Sequence, residues 1–133
     1  MANCFKVGKI GELIAEKYLQ KNNYQIIDRN FYLISKTTNK KIGEIDLIAK
    51  KNKTHIFVEV KATCKKGLKI PLEGKINKKK KKRMIIVSEA WLLKNKLGFT
   101  IPWQIDIITI EINLMDKKAR VKHYQNAIED IKK

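Results

Sequence analysis

An α/β domain with a mixed central sheet is the fold class the sequence predicts. Apolar residues recur at helical spacing in two segments, and β-branched and aromatic runs of strand length lie between and after them. A length of 133 residues suits one core and not two. The domain is expected to span 1–133, with a core over about 9–112 and an edge strand and tail over 113–133.

From Lys9 to Leu19 the residues Ile10, Leu13, Ile14, Ala15 and Tyr18 lay an apolar stripe along a first helix, which Asn22 and Asn23 stop. Tyr24 to Ile34 reads as a strand, bent near Asp28, Arg29 and Asn30, and a polar turn from Ser35 to Lys41 follows. Two β-rich runs, Gly43 to Ala49 and His55 to Ala62, flank the short loop Lys50 to Lys53 and are expected to pair as central strands. Lys65 to Lys75 carries Gly67, Pro71 and Gly74 and is expected to be a loop. Asn77 to Lys96 gives a second helix with Met84, Val87, Trp91 and Leu92 inward, closed by Gly98 and Pro102. Gln104 to Ile112 is a further strand and Ala119 to Tyr124 an edge strand, so the core order is α-β-β-β-α-β.

Composition narrows the function classes. The net charge of +17 concentrates polyanions near the surface, which makes nucleic acid the leading partner. Nearly all the cations are Lys, with Arg only at 29, 83 and 120, and codon bias of an AT-rich genome would produce the same excess. Cys4 and Cys64 form no CxxC pair, so neither a zinc site nor a disulfide framework is suggested, and two thiols in a reducing cytoplasm are expected. No apolar run approaches the roughly 20 residues that span a bilayer, so the expected location is cytoplasmic, with no membrane partner. Gly-rich phosphate loops, G-x-S-x-G elbows and HExxH are absent, which sets aside nucleotide hydrolases, serine hydrolases and zinc peptidases. His55, His123, Trp91 and Trp103 carry no ligand or stacking pattern and are expected to do no chemistry.

Chemistry concentrates in two neighbouring strands. In Ile56-Phe57-Val58-Glu59-Val60-Lys61 the strand period sends Phe57, Glu59 and Lys61 to one face, placing a carboxylate and an ammonium side by side. Two charges in a central strand are costly unless paired or bound to something. Asp46 lies between Ile45 and Leu47 on the preceding strand, and strands about 4.8 Å apart bring its oxygens beside Glu59. Two hard carboxylates suit Mg²⁺ or Mn²⁺, with the Val60 carbonyl a further ligand. Such an ion would polarise a phosphate and acidify a water, while Lys61 would orient that water and stabilise developing charge. Glu12 on the first helix could reach the same ion directly or through water, with Glu16 its nearest stand-in. The ordinary alternatives are a surface ion pair for Glu59 and Lys61 and a solvated helix position for Glu12. Lys75 through Arg83 holds seven cations in nine residues, namely Lys75, Lys78, Lys79, Lys80, Lys81, Lys82 and Arg83. Cations opening a helix oppose its dipole, which favours a bound anion over a merely solvated face.

Asp46 followed by Glu59-Val60-Lys61 resembles the PD-(D/E)XK nuclease superfamily. With Gly11-Glu12 upstream and Gly-Glu-Ile-Asp-Leu-Ile-Ala at 43–49, the chain more closely resembles the YraN-like family of uncharacterised bacterial proteins, which is similar to archaeal Holliday-junction resolvases. The resemblance runs from about Lys9 to Ile112. It implies a restriction-endonuclease-like fold, the helix glutamate at Glu12, the metal aspartate at Asp46, the glutamate and lysine at Glu59 and Lys61, and a basic position near Lys80. Ile45, not proline, precedes Asp46, which leaves the ligand itself in place. The expected function is a Mg²⁺-dependent deoxyribonuclease acting on branched or recombination DNA, for which a homodimer would cut two strands symmetrically. A nuclease-fold module that grips nucleic acid without cutting it, and a basic protein that binds RNA or ribosomes nonspecifically, are the other readings.

Overall fold

A computed structural model of the chain describes residues 7–65 and 77–128. The elements follow in the expected order: helix α1 (Val7–Lys21), strands β1 (Gln25–Ile34), β2 (Lys41–Lys51) and β3 (Thr54–Lys65), helix α2 (Lys78–Lys94), then β4 (Trp103–Asn113) and β5 (Lys118–Tyr124). Asn77 caps α2 with its side-chain oxygen accepting from the Lys80 N–H at 2.8 Å. The expected loop from Lys65 to Lys75 lies outside the described residues apart from Lys65, which ends β3.

The five strands stand in sequence order, β1-β2-β3-β4-β5. Neighbours are antiparallel except β3 and β4, which run parallel because α2 returns the chain across one face between them. The sheet is therefore mixed, as the sequence predicts. Its two faces carry separate apolar layers. Met84, Val87, Trp91 and Leu92 of α2 cover Ile45, Ile48, Phe57, Ile105 and Ile107. On the opposite face Ala15 and Leu19 of α1 cover Leu47, Ala49, Val58, Ile108 and Ile110. Each fully buried Ile, Leu or Phe contributes about 1.5–3 kcal/mol of transfer free energy, so the doubly covered strands β2, β3 and β4 anchor the molecule.

Two sequence expectations need correction. The inward face of α1 is Gly11, Ala15 and Leu19, whereas Ile10 and Leu13 are 41% and 60% exposed. Small residues at a spacing of four let the helix lie close to β3, and counting only large apolar residues misses that face. Cys64 is disulfide-bonded, with its partner outside the described residues, so the expectation of unpaired thiols fails for it. Distance along the sequence did not report distance in space. Both tryptophans pack as expected: Trp91 and Trp103 meet Phe57 edge to face at 5.7 Å, and the Trp91 indole donates to Asp28 at 3.0 Å. The histidines are tied to packing too, with His123 bridging buried Asp106 at 2.7 Å and the Tyr18 hydroxyl at 3.0 Å.

A Cβ on Gly11 would stand 2.4 Å from the Cβ of Ala62, an approach only glycine permits. Gly11→Ala should lower stability by about 1–3 kcal/mol, read as a lower urea midpoint. Gly8→Ala, three residues away in open space, should leave stability unchanged or raise it by up to about 1 kcal/mol, with a midpoint no lower than wild type. Equal midpoints for the two variants would show that α1 does not depend on this contact.

Candidate metal and nucleic-acid site

The site begins where two strands part. β2 and β3 pair from Lys51↔Thr54 to Leu47↔Val58, and the next step of that register would set Asp46 opposite Glu59. The Val60 N–H donates instead to the Asp46 carboxylate at 2.7 Å. A side chain thus supplies the acceptor that a backbone carbonyl would otherwise have been. The pleat of β2 is interrupted at the same point, since Ile45 and Leu47, two residues apart, bury in opposite apolar layers. Across from Asp46 on β1, Asn30 holds φ at +51°, a left-handed conformation that asparagine tolerates better than most residues. The bend anticipated near Asp28 to Asn30 is therefore present, and it flanks Asp46.

Alternation along β3 puts Glu59 and Lys61 on the α2 face and Val60 and Ala62 on the α1 face. Glu59 is almost fully buried, at 7% exposure, and its carboxylate meets the Lys80 ammonium at 2.5 Å. Lys61 is half-buried on the same face. Burial, with the adjacent charge of Glu59 second, pushes the Asp46 carboxyl up to about 8, although the Val60 N–H opposes the shift. Asp46, holding its proton, hydrogen-bonds the Glu59 carboxyl that Lys80 also meets. Glu12 comes in from α1, placed by the Gly11 contact. Its carboxyl is raised by partial burial first and then by Glu44, with Lys9 opposing and Glu59 adding to the rise.

The sequence-predicted residues Glu12, Asp46, Glu59 and Lys61 therefore share one corner of the sheet, with Glu12 close enough to feel the others. Glu16 does not serve as a stand-in for Glu12. It grips Arg29 through two hydrogen bonds of 2.7 and 2.6 Å, which lower its carboxyl, and that pairing fastens α1 to β1. Glu44 is the acid that the sequence reading passed over; it pairs with Lys41 at 2.9 Å on the surface and adds to the field on Glu12. Its signal was the Gly-Glu-Ile-Asp spacing, which sets Glu44 one strand period before Asp46.

The donor set suits a hard divalent cation in chemical terms. Asp46 and Glu59 offer adjoining carboxylates whose mutual repulsion such an ion would relieve, and the Val60 carbonyl belongs to the peptide unit next to both. Among the described residues, no three Asp, Glu, His or Cys side chains form a ready metal cage. Waters and substrate oxygens commonly complete the shell of Mg²⁺, so two carboxylates are a sufficient protein share. Along α2, Lys78, Lys79, Lys82 and Arg83 are exposed and Lys80 and Lys81 half-exposed, while Lys75 lies outside the described residues. No acid sits in the first turn of that helix. The run opens directly onto Glu59 through Lys80, so the basic surface and the acidic corner are contiguous.

Residues 11–110 match the family described as "Uncharacterised protein family UPF0102". The chain belongs to the UPF0102 family. A UPF0102 protein of Alkaliphilus oremlandii is 37% identical over 122 residues, covering 92% of this chain and 97% of the relative. A UPF0102 protein of Clostridioides difficile is 38% identical over 120 residues, with 90% and 94% covered. One from Fervidobacterium nodosum is 40% identical over 124 residues, with 91% and 80% covered. The resemblance to the YraN-like family is thereby established, and the UPF0102 match spans every one of the four clustered site residues. Among the described residues, no helix of this UPF0102 protein is long and apolar enough to cross a membrane.

The elevated Asp46 carboxyl has a consequence for stability. Between about pH 4 and about pH 8 the folded chain keeps a proton that the unfolded chain has released. Stability of the metal-stripped protein should therefore decline as pH rises through that window. Asp46→Asn removes the ionisation while keeping an oxygen for the Val60 N–H. Melting curves across pH should show the variant above wild type at pH 8.5 and level with it near pH 4. Parallel curves would mean that Asp46 is not a strained acid.

Proposed function

We propose that this UPF0102 protein is a metal-dependent endonuclease that hydrolyses DNA phosphodiester bonds, with a restriction-endonuclease-like placement in the PD-(D/E)XK superfamily. The single observation carrying this reading is the pairing of Asp46 with Glu59 at the point where β2 and β3 part, with Lys61 following on the same face. The Lys80 ion pair answers Glu59 alone and leaves half-buried Asp46 placed against it, whereas a bound cation would answer both acids. Mg²⁺ or Mn²⁺ held by Asp46, Glu59 and the Val60 carbonyl, with Glu12 contacting it through water, would supply Lewis acidity toward a phosphate oxygen.

The chain's own residues have distinct tasks. Lys61 orients the attacking water by donating a hydrogen bond to its oxygen, and its positive charge offsets charge developing on the phosphorus oxygens. Glu12 adds negative field that holds Lys61 and the attacking water in register. Lys78, Lys79, Lys81, Lys82 and Arg83, together with Lys75, hold the phosphate backbone against the mouth of the site. Branched or recombination DNA is the substrate supported by the similarity to junction resolvases, and a homodimer in the cytoplasm would cut both strands. One feature favours a second reading, a nucleic-acid-binding module that does not cut: Lys80 already neutralises Glu59 without a metal.

Purified protein should be incubated with labelled four-way junction, duplex and single-stranded DNA in Mg²⁺, Mn²⁺ or EDTA, beside Asp46→Asn and Lys61→Ala. Cleavage is expected only with metal, most rapid on the junction, and reduced by at least about 100-fold in both variants. Retention of DNA on the protein with no product at any metal concentration would replace the enzyme with the binding module.

A further inference from the structure

Lys80 has a place that neither the metal site nor the basic surface explains by itself. Its ammonium is 2.5 Å from a Glu59 oxygen, yet the two partners are held very differently. The Glu59 side chain is 10% exposed and fixed on a central strand, while the Lys80 side chain is 44% exposed and stands on the first turn of α2. The backbone under Lys80 is pinned by the bond from its N–H to Asn77, so only the side chain has freedom to leave. Lys80 meets Glu59 alone, while Asp46 adjoins that carboxylate and Glu12 feels its charge, so the cluster holds more negative charge than one ammonium answers. A divalent ion answers that cluster more fully than a lysine does.

We propose that Lys80 is a resident counter-ion of Glu59, that a divalent cation displaces it, and that the displaced ammonium then takes a phosphate of the nucleic acid. The inference rests on the metal-site reading above. A divalent ion on the Glu59 carboxylate repels an ammonium held at one of its oxygens, so metal entry drives Lys80 into the company of Lys78, Lys79 and Lys82 on the exposed turn. There it adds one more positive charge to the surface that faces DNA. Linkage then runs both ways: metal strengthens DNA binding, and DNA, by holding Lys80 away, strengthens metal binding.

Mn²⁺ binding, followed by loss of the free-ion electron paramagnetic resonance signal with no DNA present, tests the first half. Lys80→Gln should bind Mn²⁺ about three- to tenfold more tightly than wild type, whereas Lys17→Gln, an equal charge change on exposed α1, should match wild type. The salt dependence of duplex binding tests the second half. For wild type, the slope of log affinity against log salt should be steeper by about one in Ca²⁺ than in EDTA, and for Lys80→Gln it should be the same in both. Unchanged or weaker Mn²⁺ binding by Lys80→Gln, or a wild-type slope indifferent to Ca²⁺, would overturn the inference. If Mn²⁺ binding by wild type disappears in Glu59→Gln while Lys80→Gln behaves as wild type, the metal site stands and the Lys80 exchange alone is wrong. No Mn²⁺ binding by either wild type or Lys80→Gln would remove both.

Discussion

The hydrogen bond from the Val60 N–H to Asp46 is the constraint on which the rest of the site depends. It ends the pairing of β2 with β3 without leaving a buried donor unsatisfied, and it turns a strand residue into a fixed carboxylate. Because that bond comes from the residue after Glu59, the two acids cannot be far apart. The close approach of α1 at Gly11 brings Glu12 from one face of the sheet, and the cap at Asn77 brings Lys80 from the other. Four elements thus converge at one point of strand divergence.

The cost of that convergence falls on the protein without a cation. Asp46 is held well above its ordinary value because burial and Glu59 both disfavour its charge. Folding tolerates such an arrangement because the two apolar layers on either side of β2, β3 and β4 are independent of it. Stability resides in the doubly covered strands, and the strained group sits at their end, a division of labour common where side chains do chemistry.

Much of this was legible in the sequence, for identifiable reasons. The strand period around Glu59 and Lys61 is two, so their shared face could be read directly, and the interval from Asp46 to Glu59 matched a short hairpin about Asn52, whose φ is +56°. The helices were marked by apolar residues at helical spacing and the strands by β-branched runs. What stayed hidden involved contacts between distant elements. The inward face of α1 is made of Gly11, Ala15 and Leu19, and small residues leave no hydrophobic signal. The bond of Cys64, the grip of Arg29 on Glu16 and the seat of Lys80 on Glu59 all depend on where chains meet in space. Lys80 stands in a run of five lysines in which composition and spacing do not say which one turns inward, and only the family resemblance pointed near it.

The central claim is that Asp46 and Glu59 form a divalent-cation site and not a shared-proton pair. Crystals equilibrated with Mn²⁺ and measured for anomalous scattering test it most directly. A single strong peak in contact with both carboxylates and the Val60 carbonyl, with the carboxyl-to-carboxyl hydrogen bond broken, is the predicted result. Peaks elsewhere on the surface with Asp46 and Glu59 still bonded to each other would contradict it.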